Sequence, residues 1–361
     1  MDAAEARTRV RALWPASSLG NGDRVRAVVI AGLLAFTLLV LPPLLSSYWI
    51  DVATSVAIYT IVALGLSVLM GRVGLVSLGQ IALLALGAWV GGRLLFATGL
   101  PFPIVLLMAG LITMVLGTII GLPALRLSGL DLALITLMLA GAITVAIAAT
   151  DFPNGGGGFL GHTESETGGT AFRRPSIAGG ETAFFRYALV VTAIMFLLAL
   201  VHIRGKPGRA WAAIRQSEPA ALAAGINVTF YKLWAFALAS FMTGVAGTLL
   251  ASDDGRLFNL QFPTQDSIAL LAVCLMGGVY SLWGAVVAGI LFKLLPALLD
   301  TWGLPPDLLV IIFGIGILQV LLTAPAGLVD QFPKDMARLG RLIGRLVGRA
   351  FGRVADTARS P

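Results

Sequence analysis

Ten runs of apolar residues divide this chain, at 27–45, 50–70, 77–98, 103–122, 129–150, 183–203, 232–251, 267–282, 284–300 and 306–323. A bilayer hydrocarbon core about 30 Å thick takes about 20 apolar residues per helical crossing, so each full-length run suits one crossing. The runs are continuous, which excludes an outer-membrane β-barrel, whose strands alternate lipid-facing and lumen-facing residues. Only 12% of the residues are charged and the mean hydropathy is +0.92, whereas a soluble domain carries about 25% charged residues. The sequence therefore predicts an all-α integral membrane protein of about ten transmembrane helices. The eighth and ninth runs are short and separated only by Ser281–Gly284. They read either as two spans or as a re-entrant pair, which a bilayer tolerates where protein covers the backbone.

Charge sets the expected orientation. With the N-terminus in the cytoplasm, ten crossings bring the C-terminus back there, together with 71–76, 123–128 and 204–232. These cytoplasmic segments hold every Lys and Arg except Arg93, Arg173, Arg174, Arg186, Arg256 and Lys293, as the positive-inside rule requires. The expected organisation is a basic cytoplasmic tail at 1–26, a transmembrane domain at 27–330, and a basic C-terminal tail at 331–361. Arg7, Arg9 and Arg11 with Asp2 and Glu5, and no small-residue cleavage site, read as a retained tail rather than a signal peptide. Within the transmembrane domain lie an external loop at 151–182, rich in Gly and Thr, and a cytoplasmic loop at 204–231. The external loop exceeds the usual length of a structureless connection, which suits docking of an external partner. In the C-terminal tail Arg341, Arg345, Arg349 and Arg353 share one helical face opposite Leu339, Leu342, Ile343 and Leu346. That pattern suits an anionic bilayer surface and leaves no need for nucleic acid. Gly340, Gly344, Gly348 and Gly352 weaken such a helix by about 1 kcal/mol each, so free in water the tail is expected to be disordered.

Several chemistries are missing from the sequence. It has no G-x-x-x-x-G-K-[ST] phosphate loop, so ATP would have to be handled elsewhere. His162 and His202 are too few and too scattered for a metal site, and Cys274 reads as a small packing residue. No nucleophile, base and orienter are grouped, so no catalytic residue is assigned and the chain is not read as an enzyme. A stand-alone ion-coupled transporter would place ionisable groups deep in its helices. Here Asp51, Asp131, Asp266, Asp300 and Asp307 fall at helix ends, leaving Lys293 as the one clearly internal charge. That lysine suits either a conduit or a side chain that snorkels or meets a carbonyl. Glycines at contact spacing, Gly87 with Gly91 and Gly117 with Gly121, predict close helix packing.

The segment Gly65–Ala88, "GLSVLMGRVGLVSLGQIALLALGA", joins a helix, a glycine break and a second helix. With "LRLSGLDLALITL" (Leu125–Leu137), "AAGINVTFYKLWAFALASFMTGVAGTL" after a basic alanine-rich segment, "MGGVYSLWGAVVAGI" (Met276–Ile290) and "APAGL" (Ala324–Leu328), it resembles the permeases of branched-chain amino-acid ABC importers of the LivM type. The ordered motifs cover roughly residues 50–330.

The resemblance implies a permease in the inner membrane of a prokaryote. Its expected solute is a branched-chain amino acid, or a related small polar solute such as urea or a short amide. Its partners would be a second, similar permease, two ATPase subunits carrying ATP and Mg, an external solute-binding protein and membrane lipids, with no cofactor or metal on this chain. The cytoplasmic loop at 204–231 would then couple to the ATPase through Arg215, Glu218, Ala220, Ala221 and Gly225. Pro219 stands where the family's E-A-A-x-x-x-G signature has glutamate; Pro219 suits a first helical turn, with Ser217 or Glu218 as its cap. Gly71, Gly74, Gly79, Gly277, Gly278 and Gly284 would break helices, and broken helices can line a polar route. Ser77, Gln80 and Thr136 are the path candidates, though each also suits hydrogen bonding between helices. Asp131 replaces an aromatic residue frequent in the family; were it to reach the path, preference for a neutral or zwitterionic solute would be in question.

Overall fold

The computed structural model describes residues 32, 35–122, 129–149, 174–175, 178–255, 257, 261–305, 307–323 and 329. The chain divides into a short unit, Met1–Tyr48, and a main body, Trp49–Pro361. The short unit has helical residues at 35–39 and a 3-10 turn at Pro42–Leu44. Helix is the regular structure of the main body, with no strand among the described residues.

Among the described residues, six helices are long and apolar enough to cross a membrane. They are α1 (Ser47–Val73), α2 (Gln80–Thr98), α3 (Phe102–Gly121), α5 (Glu181–Arg204), α8 (Val228–Asp254) and α10 (Leu282–Thr301). Between and after them lie α4 (Gly129–Ala149), α6 (Lys206–Gln216), α7 (Glu218–Ala223), α9 (Gln265–Gly277) and α11 (Asp307–Thr323). Two of the long helices contain π-helical stretches, Val68–Val73 at the end of α1 and Ile290–Leu294 inside α10. Helix is forced on these segments because a bilayer offers no partner for backbone N–H and C=O groups. Their ends carry local signals: Gly99 (φ 58°) and Gly255 (φ 66°) stop α2 and α8, and the Asn227 side chain caps α8 by accepting from Phe230 N–H at 3.0 Å. The outward stripes Ile104, Leu107, Leu111, Val115 and Ile119 on α3 and Val190, Ile194, Leu197 and Val201 on α5 are exposed apolar surface suited to lipid.

The centre of the body is α8, which packs against α2 and α3. A seam of glycines brings these backbones together. A Cβ on Gly87 would lie 2.5 Å from the Gly244 Cα, and one on Gly247 would lie 2.5 Å from Ala88 N. On the α3 side Gly110, Gly117 and Gly121 face Phe241, Ser240 and Phe236. Thr248 Oγ1 donates across the seam to Gly87 O at 3.3 Å. Both glycine pairs expected to pack therefore do so, and on one partner helix.

Two expectations change. The eighth run stops at Gly277, giving a helix of 13 residues; at about 1.5 Å per residue it is about 20 Å long, short of a full crossing. The ninth run, as α10, has full length. Lys293 is also not the only internal charge, because Arg93 in α2 is fully buried. An arginine stem is long enough for hydropathy to read straight through it. Residues 1–26, 123–128, most of 151–182, 324–328 and the tail from 331 lie outside the described residues.

Candidate functional site

The basic alanine-rich segment folds as two short helices at an angle, α6 and α7, hinged at Ser217. Trp211 is fully buried and its Nε1–H donates to Tyr231 O at 2.8 Å, anchoring α6 to the start of α8. Ser217 caps α7, its Oγ accepting from Ala220 N–H at 3.4 Å, and Pro219 sits in the first turn. Gly225 (φ 78°) closes α7: Ile226 N–H donates to Ala221 O at 3.0 Å, satisfying a carbonyl the helix end leaves open. Glu218 pairs with Lys232 at 2.5 Å, and Lys232 is buried. Of the small residues, Ala221 packs inward, whereas Pro219, Ala220, Leu222, Ala223 and Ala224 face outward. The outward face of α7 thus presents small residues and Leu222, flanked by the exposed Arg215 and Glu218.

Arg215 ties that elbow to the membrane body. Its Nη1 donates to Gly71 O at 2.6 Å, and its guanidinium lies 4.5 Å from the centre of the Tyr280 ring. Gly71 is in the π-helical end of α1, where backbone carbonyls lack helical partners and a cation is favoured. Beyond it Gly74 (φ 87°) turns the chain into a non-helical stretch to Gly79 before α2 begins. Tyr280 belongs to the other break, Gly278–Ser281, between α9 and α10, where Gly278 has φ 106°. The two breaks meet: a Cβ on Gly71 would collide with Val279 O, and one on Gly284 would collide with Gly278 O. A Cβ on Gly277 would likewise strike Gly284 O, whereas Gly79 has ordinary space around it.

The path candidates Ser77, Gln80 and Thr136 come together behind the first break, each buried. Thr136 Oγ1 accepts from Leu78 N–H at 2.9 Å, and Ser77 Oγ accepts from Gly79 N–H at 3.4 Å. Thr243 of α8, absent from the sequence-based set, donates from Oγ1 to Gln80 Oε1 at 2.7 Å. Gln80 Nε2 has no partner, and an unmet buried donor costs about 1–3 kcal/mol. Asp131 is exposed in the first turn of α4 and takes no part in this cluster. Cys274 is buried and free, as a packing residue would be. His202 Nδ1 donates to Leu198 O at 2.8 Å in the last turn of α5.

At the opposite end of the bundle the structure pairs charges that the sequence had left separate. Arg174 lies 3.4 Å from Asp253 and 3.8 Å from Asp51, joining the connection before α5 to the end of α8 and the start of α1. Lys293, in the π-helical stretch of α10, lies 4.3 Å from the centre of the Tyr59 ring. Arg174, Asp51 and Lys293 were visible as single charges, whereas Asp253, just beyond an apolar run, was not singled out.

The family described as the branched-chain amino acid transport system permease component matches residues 48–321. Two curated relatives are the high-affinity branched-chain amino acid transport system permease proteins LivM of Salmonella typhimurium and of Escherichia coli. Each is 31% identical over 268 residues, covering 69% of this chain and 63% of the relative, less than two thirds of the relative's own length. No solved structure matches the chain.

Proposed function

Because this chain belongs to the branched-chain amino acid transport system permease family, we propose that it is the membrane-spanning subunit of an ATP-binding-cassette importer. It carries a branched-chain amino acid across the inner membrane of a prokaryotic cell. The partners are a second permease of the same kind, two ATPase subunits that hold ATP and Mg, and an external solute-binding protein. The observation that carries this reading is the α6–α7 elbow. Its outward face of Pro219, Ala220, Leu222, Ala223 and Ala224 suits close approach of a partner surface, while Arg215 and the Glu218–Lys232 pair transmit force inward. The elbow lies at the same end as both helix breaks, so an ATPase that moves it pulls directly on Gly71 and Tyr280.

The test is purification of the chain from its native membrane in gentle detergent, with mass spectrometry of what accompanies it. Ala220→Glu with Ala223→Arg places charges on the exposed face and spares the buried Ala221 and the turn at Gly225. Recovery of a phosphate-loop ATPase with the native chain, and its loss with the double variant, is the expected result. Absence of such an ATPase under conditions that keep a control importer intact overturns the proposal.

A further inference from the structure

We propose that the N-terminus of α2, together with the Gln80 amide, receives the carboxylate of the transported solute. The proposal rests on the importer reading given above and adds where, and by which group, the solute is held. Three independent features converge on this point.

First, α2 is a helix of 19 residues that begins inside the protein, after the non-helical stretch Gly74–Gly79, and no side chain caps it. Its first-turn N–H groups have no helical acceptors, and the helix dipole makes this end positive. Second, Gln80 is the first residue of that helix, is 1% exposed, and has an amide nitrogen without a partner. Third, the direction of that amide is fixed from α8. Threonines in the helices of this chain commonly return their hydroxyl proton to the carbonyl four residues earlier, as Thr54, Thr60 and Thr192 do. Thr243 instead gives its proton to Gln80 Oε1 at 2.7 Å. The carbonyl end of the amide is thereby held toward α8, and the NH2 end is left as a pure donor.

Of the surrounding hydroxyls, Thr136 already donates to Ala133 O at 3.0 Å, and Ser77 is a further neutral donor. Thr136 Oγ1 and Ser77 Oγ are engaged by the N–H groups of Leu78 and Gly79, which hold the break in shape. What remains is a donor-only station at the positive end of a helix, and the ligand group that matches it is an anionic oxygen pair. Ser77, Gln80, Thr136 and Thr243 carry no charge, so the solute is held by neutral donors and leaves readily, as conduction requires. The station lies immediately beyond the break whose Gly71 carbonyl Arg215 grips, so the elbow and the solute act on the same few residues.

The experiment uses the whole complex with its binding protein in proteoliposomes and radiolabelled leucine as the probe. Gln80→Glu keeps an acceptor for Thr243 and nearly the same shape, but replaces the donor by a negative charge. Gln80→Met removes both groups. Leucine uptake is expected to fall at least tenfold in Gln80→Glu, at least as far as in Gln80→Met, in complexes recovered at the wild-type level. A merely structural role for Gln80 gives the reverse order, with Gln80→Glu near wild type, and overturns the proposal. Should Gln80→Glu fail to assemble, Gln80→Asn decides: it keeps an amide but withdraws it by one methylene, and wild-type uptake in that variant overturns the proposal. If the wild-type complex moves urea or a short amide but not leucine, the carboxylate assignment falls together with the amino-acid reading. If it moves leucine and the Gln80 variants match it, only the present inference falls.

Discussion

Replacing Arg215 by methionine should leave the ATPase bound but largely disconnect it from transport. The side chain makes two contacts that cross from the elbow to the helix breaks: a 2.6 Å hydrogen bond to Gly71 O and a cation–π contact at 4.5 Å on Tyr280. A hydrogen bond from a charged group contributes about 1.5–3 kcal/mol, and a cation–π contact about 0.5–1 kcal/mol at an exposed site. Arg215 itself is exposed, so the lower ends apply and the link is worth about 2 kcal/mol, a factor of about 30 in the equilibrium it biases. The assay is a reconstituted complex in which solute uptake and ATP hydrolysis are followed together. Arg215→Met should lower solute moved per ATP by about tenfold or more while basal hydrolysis persists. Arg215→Lys, which keeps charge but loses the planar fork, should fall between. Tyr280→Leu should weaken coupling less, and the double variant should lose less than the sum of the singles, because one guanidinium serves both contacts. An unchanged uptake-to-ATP ratio in Arg215→Met would refute the linkage.

Other outcomes follow from the same geometry. Gly87→Val should lower the detergent melting temperature sharply, since its Cβ alone would sit 2.5 Å from the Gly244 backbone and overpacking of this kind costs about 3 kcal/mol or more. Gly71→Ala should impair transport more than it impairs recovery of folded protein, because the added carbon meets Val279 O at the junction of the two breaks. Glu218→Gln should destabilise by about 1–2 kcal/mol, less than for a fully buried pair, because Glu218 is 47% exposed while Lys232 is 5% exposed; Lys232→Met in the same chain should recover most of the loss, read as the thermal midpoint.

Hydropathy placed the long helices well because lipid makes each one a nearly independent decision: the run 103–122 became α3 and 183–203 became α5 with shifts of one or two residues. It erred where a polar residue is satisfied locally. The run starting at 232 began four residues late, because the helix starts at the Asn227 cap. It erred again at 77–79, where Ser77, Leu78 and Gly79 lie outside the helix, which starts at Gln80. In the candidate site, Ser77, Gln80 and Thr136 were visible as uncharged polar residues near glycines. Thr243 was not, because nothing local distinguishes a threonine that bonds across 163 residues from one that bonds its own helix. The same holds for Arg215, whose partner Gly71 is 144 residues away. Ala221 and Gly225 looked like partner-facing small residues, and only the fold separates the inward alanine and the turn-forming glycine from the exposed Ala220.

The glycine seam between α2 and α8 restricts how this sequence can drift. Every amino-acid replacement of glycine adds at least one carbon, and at Gly87, Gly244 and Gly247 that carbon falls on the neighbouring backbone or on Thr113. No single step along the seam is neutral, and a change on one helix needs prior or simultaneous movement on the other. Among diverged copies of this chain the seam should appear as a nearly frozen stripe, while the lipid-facing positions Leu107, Leu111 and Val115 exchange freely among apolar residues.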